Sequence, residues 1–372
     1  MDHVRVDSVA LCHLAEALFQ HDGLLLEDAA TIARVQIEAD LRGMHSHGMR
    51  AVPLYLERIQ HGIINPRPRV QVSDLGVVAL VDGDAGPGQV VATRAMEECL
   101  RRARQHHVGL ALVHHSNHFG AAGYYAAMAL RHDLIGFATT NGNLVLAPWG
   151  GSTPTVGNNP IAIAVPAGGE PPLLIDVALS VVAGGKVDLL AAEGETLPAG
   201  WCLDATGKPT QDLAAALAGL GVPLGAPAAG HKGFGLAFAM EALAGALTGA
   251  RFCRGHTLEV EDGPIPWDEG HFFLAIDPAL AMPLTAFKAR VDQMIREVHD
   301  TRPIPGGPPV HVPGELGWSR REKALREGLL LPGSIYSALR KCAEERGLEG
   351  EVRLPSHYPS ELLTRQMDCE GR

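Results

Sequence analysis

The chain has no CxxC pair: its six cysteines, Cys12, Cys99, Cys202, Cys253, Cys342 and Cys369, lie far apart. That excludes a zinc-ribbon spacing and a disulfide framework, and isolated buried thiols in a reducing compartment account for them. Basic residues are outnumbered, 31 Lys and Arg against 42 Asp and Glu, for a net charge of −11. No basic patch stands out, so no nucleic-acid partner is expected. Met1 to Asp7 lacks the basic segment and apolar run of a secretory leader, which makes the expected location cytoplasmic. No membrane partner is expected either. The stretch nearest to a membrane span, 234–252, has Glu241 near its middle and Gly235, Gly245 and Gly249 in place of bulky residues. It reads as a helix buried closely against a neighbour.

A complete dinucleotide fingerprint is also missing. Gly83-Asp84-Ala85-Gly86-Pro87-Gly88 follows an apolar run, but Val91 fills the third small position. No acidic residue ends a second strand about 20 residues on; Leu112-Val113-His114 stands there instead. A standard Rossmann site is disfavoured. Internal repeats and low-complexity tracts are absent as well.

What is present is a folded chain of 372 residues, 46% hydrophobic and 20% charged, long enough for two subdomains. The 43 glycines and 26 prolines are spread along it, which indicates loops rather than disorder. Residues 1–62 read as helical. Leu11, Leu14, Ala15 and Leu18 follow the 3.6 period behind Asp7 or Ser8 as a cap. A second helix is expected over about 27–42, with Ile32, Val35 and Ala39 on one face, and a third over 52–60 before Gly62. From Val77 the rhythm alternates: strand character at 77–81, 108–113, 134–138, 161–165 and 173–175, and helix at 87–106 and 121–131. Such alternation indicates an α/β layer. Beyond Gly270 the pattern reads as mixed and mostly helical, with helices near 320–327 and 334–346. The expected division is a helical subdomain over 1–74, an α/β domain over 75–270 that binds cofactor and substrate, and a C-terminal helical region over 271–372 that packs back on the first.

The densest chemistry lies in Leu41-Arg42-Gly43-Met44-His45-Ser46-His47-Gly48-Met49-Arg50. A serine beside a histidine orients a proton, and arginine grips a carboxylate with a two-pronged fork. A polar turn accounts for the loop equally well when it is taken alone. The second cluster, His114-His115-Ser116-Asn117-His118-Phe119-Gly120, leaves the carboxyl end of an expected strand, where ligands collect in open α/β sheets. Zinc also suits His45, His47, His114, His115 and His118, but no Asp or Glu lies between His114 and Asp133, so no metal is assigned. Gly230-His231-Lys232-Gly233 opens a helix and makes an anion seat, because unpaired N–H groups and the helix dipole point there.

Together these segments resemble the malate/L-lactate/L-sulfolactate dehydrogenase family, distinct from the Rossmann-fold lactate and malate dehydrogenases. The resemblance runs from about Val9 to Gly328. It is carried by Asp40-Leu41-Arg42-Gly43, Ser46-His47-Gly48 with Arg50, the 115–120 segment and Gly157-Asn158-Asn159-Pro160. Asp176, Ser180 to Ala183, Gly185-Lys186, His231-Lys232-Gly233 and Pro313-Gly314-Glu315 extend it.

The resemblance implies an α/β (α+β) fold, with a non-Rossmann mixed-sheet cofactor domain and a helical subdomain built from the N- and C-terminal regions. It implies NAD or NADP as cofactor, a 2-oxo or 2-hydroxy acid as substrate, and an intertwined homodimer with the site near the subunit interface. Ser46 and His47 match the pair that handles proton transfer and substrate, Arg50 the carboxylate-gripping arginine, and His118 the histidine beside the nicotinamide, a catalytic position assigned as the acid/base in some members. Lys186 matches a position suited to stabilising a developing oxyanion and favours a carbonyl over an imine substrate. Cofactor-binding positions are matched by His118, Phe119, Gly120, Ala121 and Ala122, by Asp176, Val177 and Ala178, by His231, Lys232 and Gly233, and by Pro313, Gly314 and Glu315. Two departures stand out. Leu179 replaces the usual threonine, and Gly184 stands where Arg or His is common, which tilts the chain toward NAD. A zinc hydrolase and a catalytically inactive, cofactor-binding paralogue are the alternatives.

Overall fold

The computed structural model describes residues 3–182, 184–257, 267–348 and 350. The chain runs β1 (His3–Val6), α1 (Ser8–His21), α2 (Leu26–Leu41), α3 (Val52–Gln60), β2 (Gln71–Leu75), β3 (Val78–Asp82), α4 (Gly88–His106) and β4 (Val108–Ser116). Then come α5 (Ala122–Met128), β5 (Ile135–Thr140), β6 (Ile161–Val165), β7 (Leu173–Val177), α6 (Gly184–Glu193), β8 (Cys202–Leu203), β9 (Pro209–Thr210), α7 (Leu213–Leu217) and β10 (Leu220–Gly221). The last elements are α8 (Gly230–Glu241), β11 (Glu269–Ile276), α9 (Leu284–His299), α10 (Glu315–Glu327), β12 (Leu329–Pro332) and α11 (Gly333–Glu344). Two compact units result, 1–61 with 316–372, and 62–315.

The first unit is helical, as its periodicity predicts. The Asp7 side chain caps α1 by accepting from Val9 N–H and Ala10 N–H, a contact worth about 1 kcal/mol. Leu11, Leu14, Leu18, Ile32, Val35, Tyr55, Leu56, Ile335 and Leu339 form its buried interior. Distant parts of the chain meet here through β1 and β12, which pair antiparallel from His3 opposite Pro332 to Val6 opposite Leu329. Neither short strand has a sequence signal strong enough to stand out from its helical surroundings.

The second unit is built on a seven-stranded mixed sheet of order β2-β3-β4-β11-β5-β6-β7. Only β3 and β4 pair in parallel, joined by the crossover helix α4. Alternate residues, including Ala79, Val81, Ala111, Val113, Ala138, Ala162, Phe273 and Ala275, are buried, and α4 and α5 pack against the strands. A smaller sheet, β10-β8-β9, is separate.

Two expectations need correction. The mixed, mostly helical region beyond Gly270 opens with a strand of the large sheet itself: Glu269–Ile276 forms β11, hydrogen-bonded on both sides in the middle of that sheet. The units accordingly divide at 61/62 and 315/316, not at 74/75 and 270/271. Nor is the 234–252 segment buried throughout. Helix α8 ends at Glu241 and continues as one wider turn over Ala242–Ala246. Leu236, Phe238, Leu247 and Phe252 are about half exposed, from 46% to 54%. Among the described residues, no helix is long and apolar enough to cross a membrane.

Candidate active site

In the first unit, α2 stops at Leu41 and two single turns, His45–His47 and Met49–Ala51, lead into α3. The loop is tied by Asp40, which is 1% exposed. One carboxylate oxygen of Asp40 bonds His45 Nδ1 at 2.6 Å and the other accepts Met49 N–H at 2.7 Å. Burial pushes the Asp40 carboxyl up, against the opposing pull of His45 and the Met49 N–H. Gly48 fits because it has no side chain: a Cβ there would fall inside the Asp40 carboxylate. The Ser46 hydroxyl lies 2.9 Å from His47 Nδ1. When Nδ1 accepts the hydroxyl proton, the ring carries its own proton on Nε2. Burial lowers the His47 pKa below its ordinary 6.5, and the charge of Arg50 lowers it further. Ser46, His47 and Arg50 thus lie on one rigid loop with a half-buried, easily deprotonated imidazole. His45 serves as a strut for this loop.

Arg42 is placed by its packing. It lies 4.4 Å over the Trp318 ring and 3.5 Å from Glu38, while Arg321 forks onto the same Glu38 at 2.8 and 2.9 Å.

In the second unit, the 117–122 segment follows β4. His118 is half-buried and Phe119 fully buried, its ring stacked on Tyr125 and His271 with centroids 4.7 Å away in both cases. Asn117 Nδ2 donates to the carbonyls of Ala85 and Gly86 at 2.9 and 3.0 Å. A Cβ on Gly88 would run into the Asn117 and His118 carbonyls. The glycine pattern at 83–88 therefore has a packing cause: it lets α4 begin directly against the backbone that carries His118. Asp176, in β7, accepts the Gly123 N–H at 2.8 Å and so fixes the first turn of α5, which opens at Ala122 directly after Gly120 and Ala121. Val177 next to it is 41% exposed. Leu179 is buried among Leu146, Val156, Ala237 and Met240, so an apolar residue suits that position. No atom lies within 4 Å of a Cβ placed on Gly184. Ala183 lies outside the described residues.

Helix α8 begins with no side-chain cap, and His231 and Lys232 in its first turn are exposed. The Lys232 N–H already donates to the Ala229 carbonyl at 2.9 Å, but a helix start with no side-chain cap beside an exposed lysine is the kind of seat a pyrophosphate requires; by this measure the residues fit a dinucleotide. The loop carrying Pro313, Gly314 and Glu315 lies along β7, where Leu174 N–H donates to the Pro313 carbonyl at 3.1 Å. Burial opposes ionisation of Glu315, but hydrogen bonds from His299, Val312 N–H and His311 hold its carboxyl below the usual range. Lys186, on α6, is exposed and sits 5.0 Å over the Trp201 ring.

Sequence reasoning missed two features. The first is the support behind these loops. Glu241, 2% exposed, accepts Asn159 Nδ2 at 2.6 Å and Cys253 N–H at 2.8 Å. Asn141 Nδ2 donates to the Arg251 carbonyl at 2.7 Å. His271 bridges Thr140 Oγ1 and Ser116 Oγ, each at 2.8 Å. The second is a carboxylate beside the histidine pair: Asp82 of β3 stands in register with His114. The argument against metal from the gap between His114 and Asp133 therefore fails. Both strands end in phase, with a polar residue after an apolar run, and that was the available signal.

The profile of the malate/L-lactate dehydrogenases matches residues 6–340. Malate dehydrogenase of Pyrococcus abyssi is 35% identical over 358 residues, covering 94% of this chain and 97% of the relative. The NAD(+) ureidoglycolate dehydrogenase of Escherichia coli K12 is 33% identical, with coverages of 90% and 95%. The NADP(+) (2R)-3-sulfolactate dehydrogenase of Chromohalobacter salexigens is 35% identical, with coverages of 90% and 96%. The structure of malate dehydrogenase from Pyrococcus horikoshii superposes with a TM-score of 0.84 at 32% identity, covering 93% and 97%. Matches of this extent leave no room for an unrelated hydrolase: the chain belongs to the malate/L-lactate dehydrogenase family and is an oxidoreductase of that kind.

Proposed function

We propose that this chain interconverts a small 2-hydroxy acid and its 2-oxo acid with NAD or NADP. The observation that carries the reading is the Ser46–His47 hydrogen bond on a loop that also bears Arg50. Membership in a family whose members are named for both cofactors supports it. The bound dinucleotide supplies or takes the hydride. His118 to Ala122, Asp176 to Ala178, His231 to Gly233 and Pro313 to Glu315 are the residues proposed to hold it.

The chain's own work is binding and proton handling. Arg50 grips the substrate carboxylate through its planar fork. His47, oriented by Ser46, gives a proton to the oxygen of the forming alcohol and takes it back in the reverse direction, an effect of about 10²–10⁴ in rate. His118 orients the substrate carbonyl. Lys186 stabilises negative charge on that oxygen. We further propose a cytoplasmic homodimer. Its support is the half-exposed Leu236, Phe238, Leu247 and Phe252, large apolar side chains that a second copy would cover.

The test is a turnover screen of 2-oxo acids, malate-, lactate- and sulfolactate-like, with NADH and with NADPH. Oxidation of either cofactor by at least one acid is expected. Cofactor binding without turnover across the panel would make the chain a binding paralogue, and no binding of either cofactor would sink the reading. Light scattering of purified protein decides the dimer.

A further inference from the structure

A regular strand sends adjacent side chains to opposite faces. β4 breaks that rule at His114 and His115. Its pairing with β11 steps from Val113 opposite His271 to Ser116 opposite Glu269, so two residues of β4 oppose Gly270 alone. That two-against-one count is a β-bulge, a device that re-aims side chains. His115 takes up the extra residue at φ +52°, in the left-handed region that a side chain disfavours. Asp268 holds this bend: one oxygen accepts His115 N–H at 2.6 Å and the other accepts Arg251 N–H at 3.0 Å.

The strained bulge brings the two imidazoles together. Their ring centroids are 4.4 Å apart and their Nδ1 atoms 3.1 Å apart. Asp82, in register with His114 on the parallel neighbour β3, places Oδ1 3.1 Å from His115 Nδ1. One ligand atom from each of the three lies within 4.8 Å of the others. None of these residues is assigned to substrate or cofactor.

We propose that Asp82, His114 and His115 bind one divalent transition-metal ion of the zinc class. Two nitrogens at zinc-binding distance in a tetrahedral shell are about 3.3 Å apart, close to the 3.1 Å that separates the two Nδ1 atoms. Imidazole with a single carboxylate suits zinc, nickel, copper or iron(II), and suits calcium or magnesium poorly because those ions want oxygen. His115 and Asp82 are 55% and 40% exposed, so an ion reaches them without unfolding. Asp82 and His115 line a cleft of about 400 Å³ together with Asp84, Arg251, Trp267 and Asp268. Bound there, the ion ties the carboxyl ends of β3 and β4 together, three residues before His118.

The experiment uses untagged full-length protein stripped with a chelator, titrated calorimetrically with Zn²⁺, and with Co²⁺ for its visible ligand-field bands. The variants are His115→Gln, His114→Gln and Asp82→Asn. Wild type is expected to bind one equivalent that each variant binds at least about tenfold more weakly, and to gain a Zn²⁺-dependent rise in Tm that the variants lose. Equal stoichiometry and affinity in all four proteins, or no binding by wild type below about 1 mM, overturns the site. Circular dichroism and the metal-free Tm verify that each variant is folded; should His115→Gln relax the bulge, Asp82→Asn at the strand end decides alone. Dehydrogenase activity is scored separately, so the two assignments stand or fall independently.

Discussion

Asp40 bonds His45, five residues away, at 2.6 Å through one carboxylate oxygen, and the same carboxylate takes the Met49 N–H through the other. The turn that presents Ser46, His47 and Arg50 is therefore closed around a buried acid. Its geometry depends on Gly48 leaving that acid room.

Gly48→Ala should break this closure. Overpacking of this kind costs about 1–3 kcal/mol, and the displaced turn should lower kcat/KM on any accepted 2-oxo acid. Thermal melting and steady-state kinetics check both effects. A variant with wild-type melting and kinetics would show that the loop tolerates a side chain against Asp40.

The depressed His47 pKa fixes the form of the pH profiles. In the proposed reaction the protonated ring is the acid for reduction, and the neutral ring is the base for oxidation. Because burial and Arg50 hold its pKa below 6.5, kcat/KM for reduction should fall as pH rises through a value below 6.5. The oxidation rate should rise through the same value and reach its plateau by neutral pH. His47→Ala should remove this limb from both profiles and slow turnover by about 10²–10⁴, with NADH affinity kept. Limbs that persist in the variant would assign the proton to another group.

Arg50→Lys should raise KM for the acid by about 10- to 100-fold while kcat changes little, because lysine keeps the charge but not the two-pronged fork. Steady-state kinetics read the split. A fall confined to kcat would move Arg50 from substrate binding to the chemical step.

His271 makes stability sensitive to acid. It is buried neutral, its pKa pushed down to about 3 by burial, whereas an unfolded histidine titrates at about 6.5. Protons therefore favour the unfolded chain between these values. Stability is fully present above about 6.5 and declines as pH falls toward 3, by at most about 1.4 kcal/mol per pH unit from this group. His271→Leu removes that dependence, and it also strips Thr140 and Ser116 of a partner, at a cost of about 2–4 kcal/mol at neutral pH. Denaturant midpoints at pH 7 and pH 5 for both proteins test it. An unchanged acid slope would show that other groups dominate.

Much of the fold is legible in the sequence where local signals agree. Asp7 before the apolar period of α1, and the apolar runs of β3 to β7, give their elements within a few residues. What escapes notice is pairing over distance. β2 is an edge strand with every residue exposed, so it has no alternation to read. β1 is four residues long and acquires its conformation from β12, more than three hundred residues away. At the site, Ser46, His47 and Arg50 are contiguous and could be read together. Asp82 beside His114 depends on parallel register, and Glu241 beneath Asn159 depends on the end of α8 meeting a loop about eighty residues earlier in the chain.

β11 separates β4 from β5, and these two strands are not hydrogen-bonded to each other. A nascent chain that has released everything up to Ala250 thus holds two half-sheets, β2-β3-β4 and β5-β6-β7, each with an open edge and nothing to bridge them. The last strand of the sheet to be synthesised is the one that joins its halves, so this unit closes only after Ile276 has left the ribosome. A truncation anywhere before that point leaves two exposed edges prone to mispairing in place of one domain.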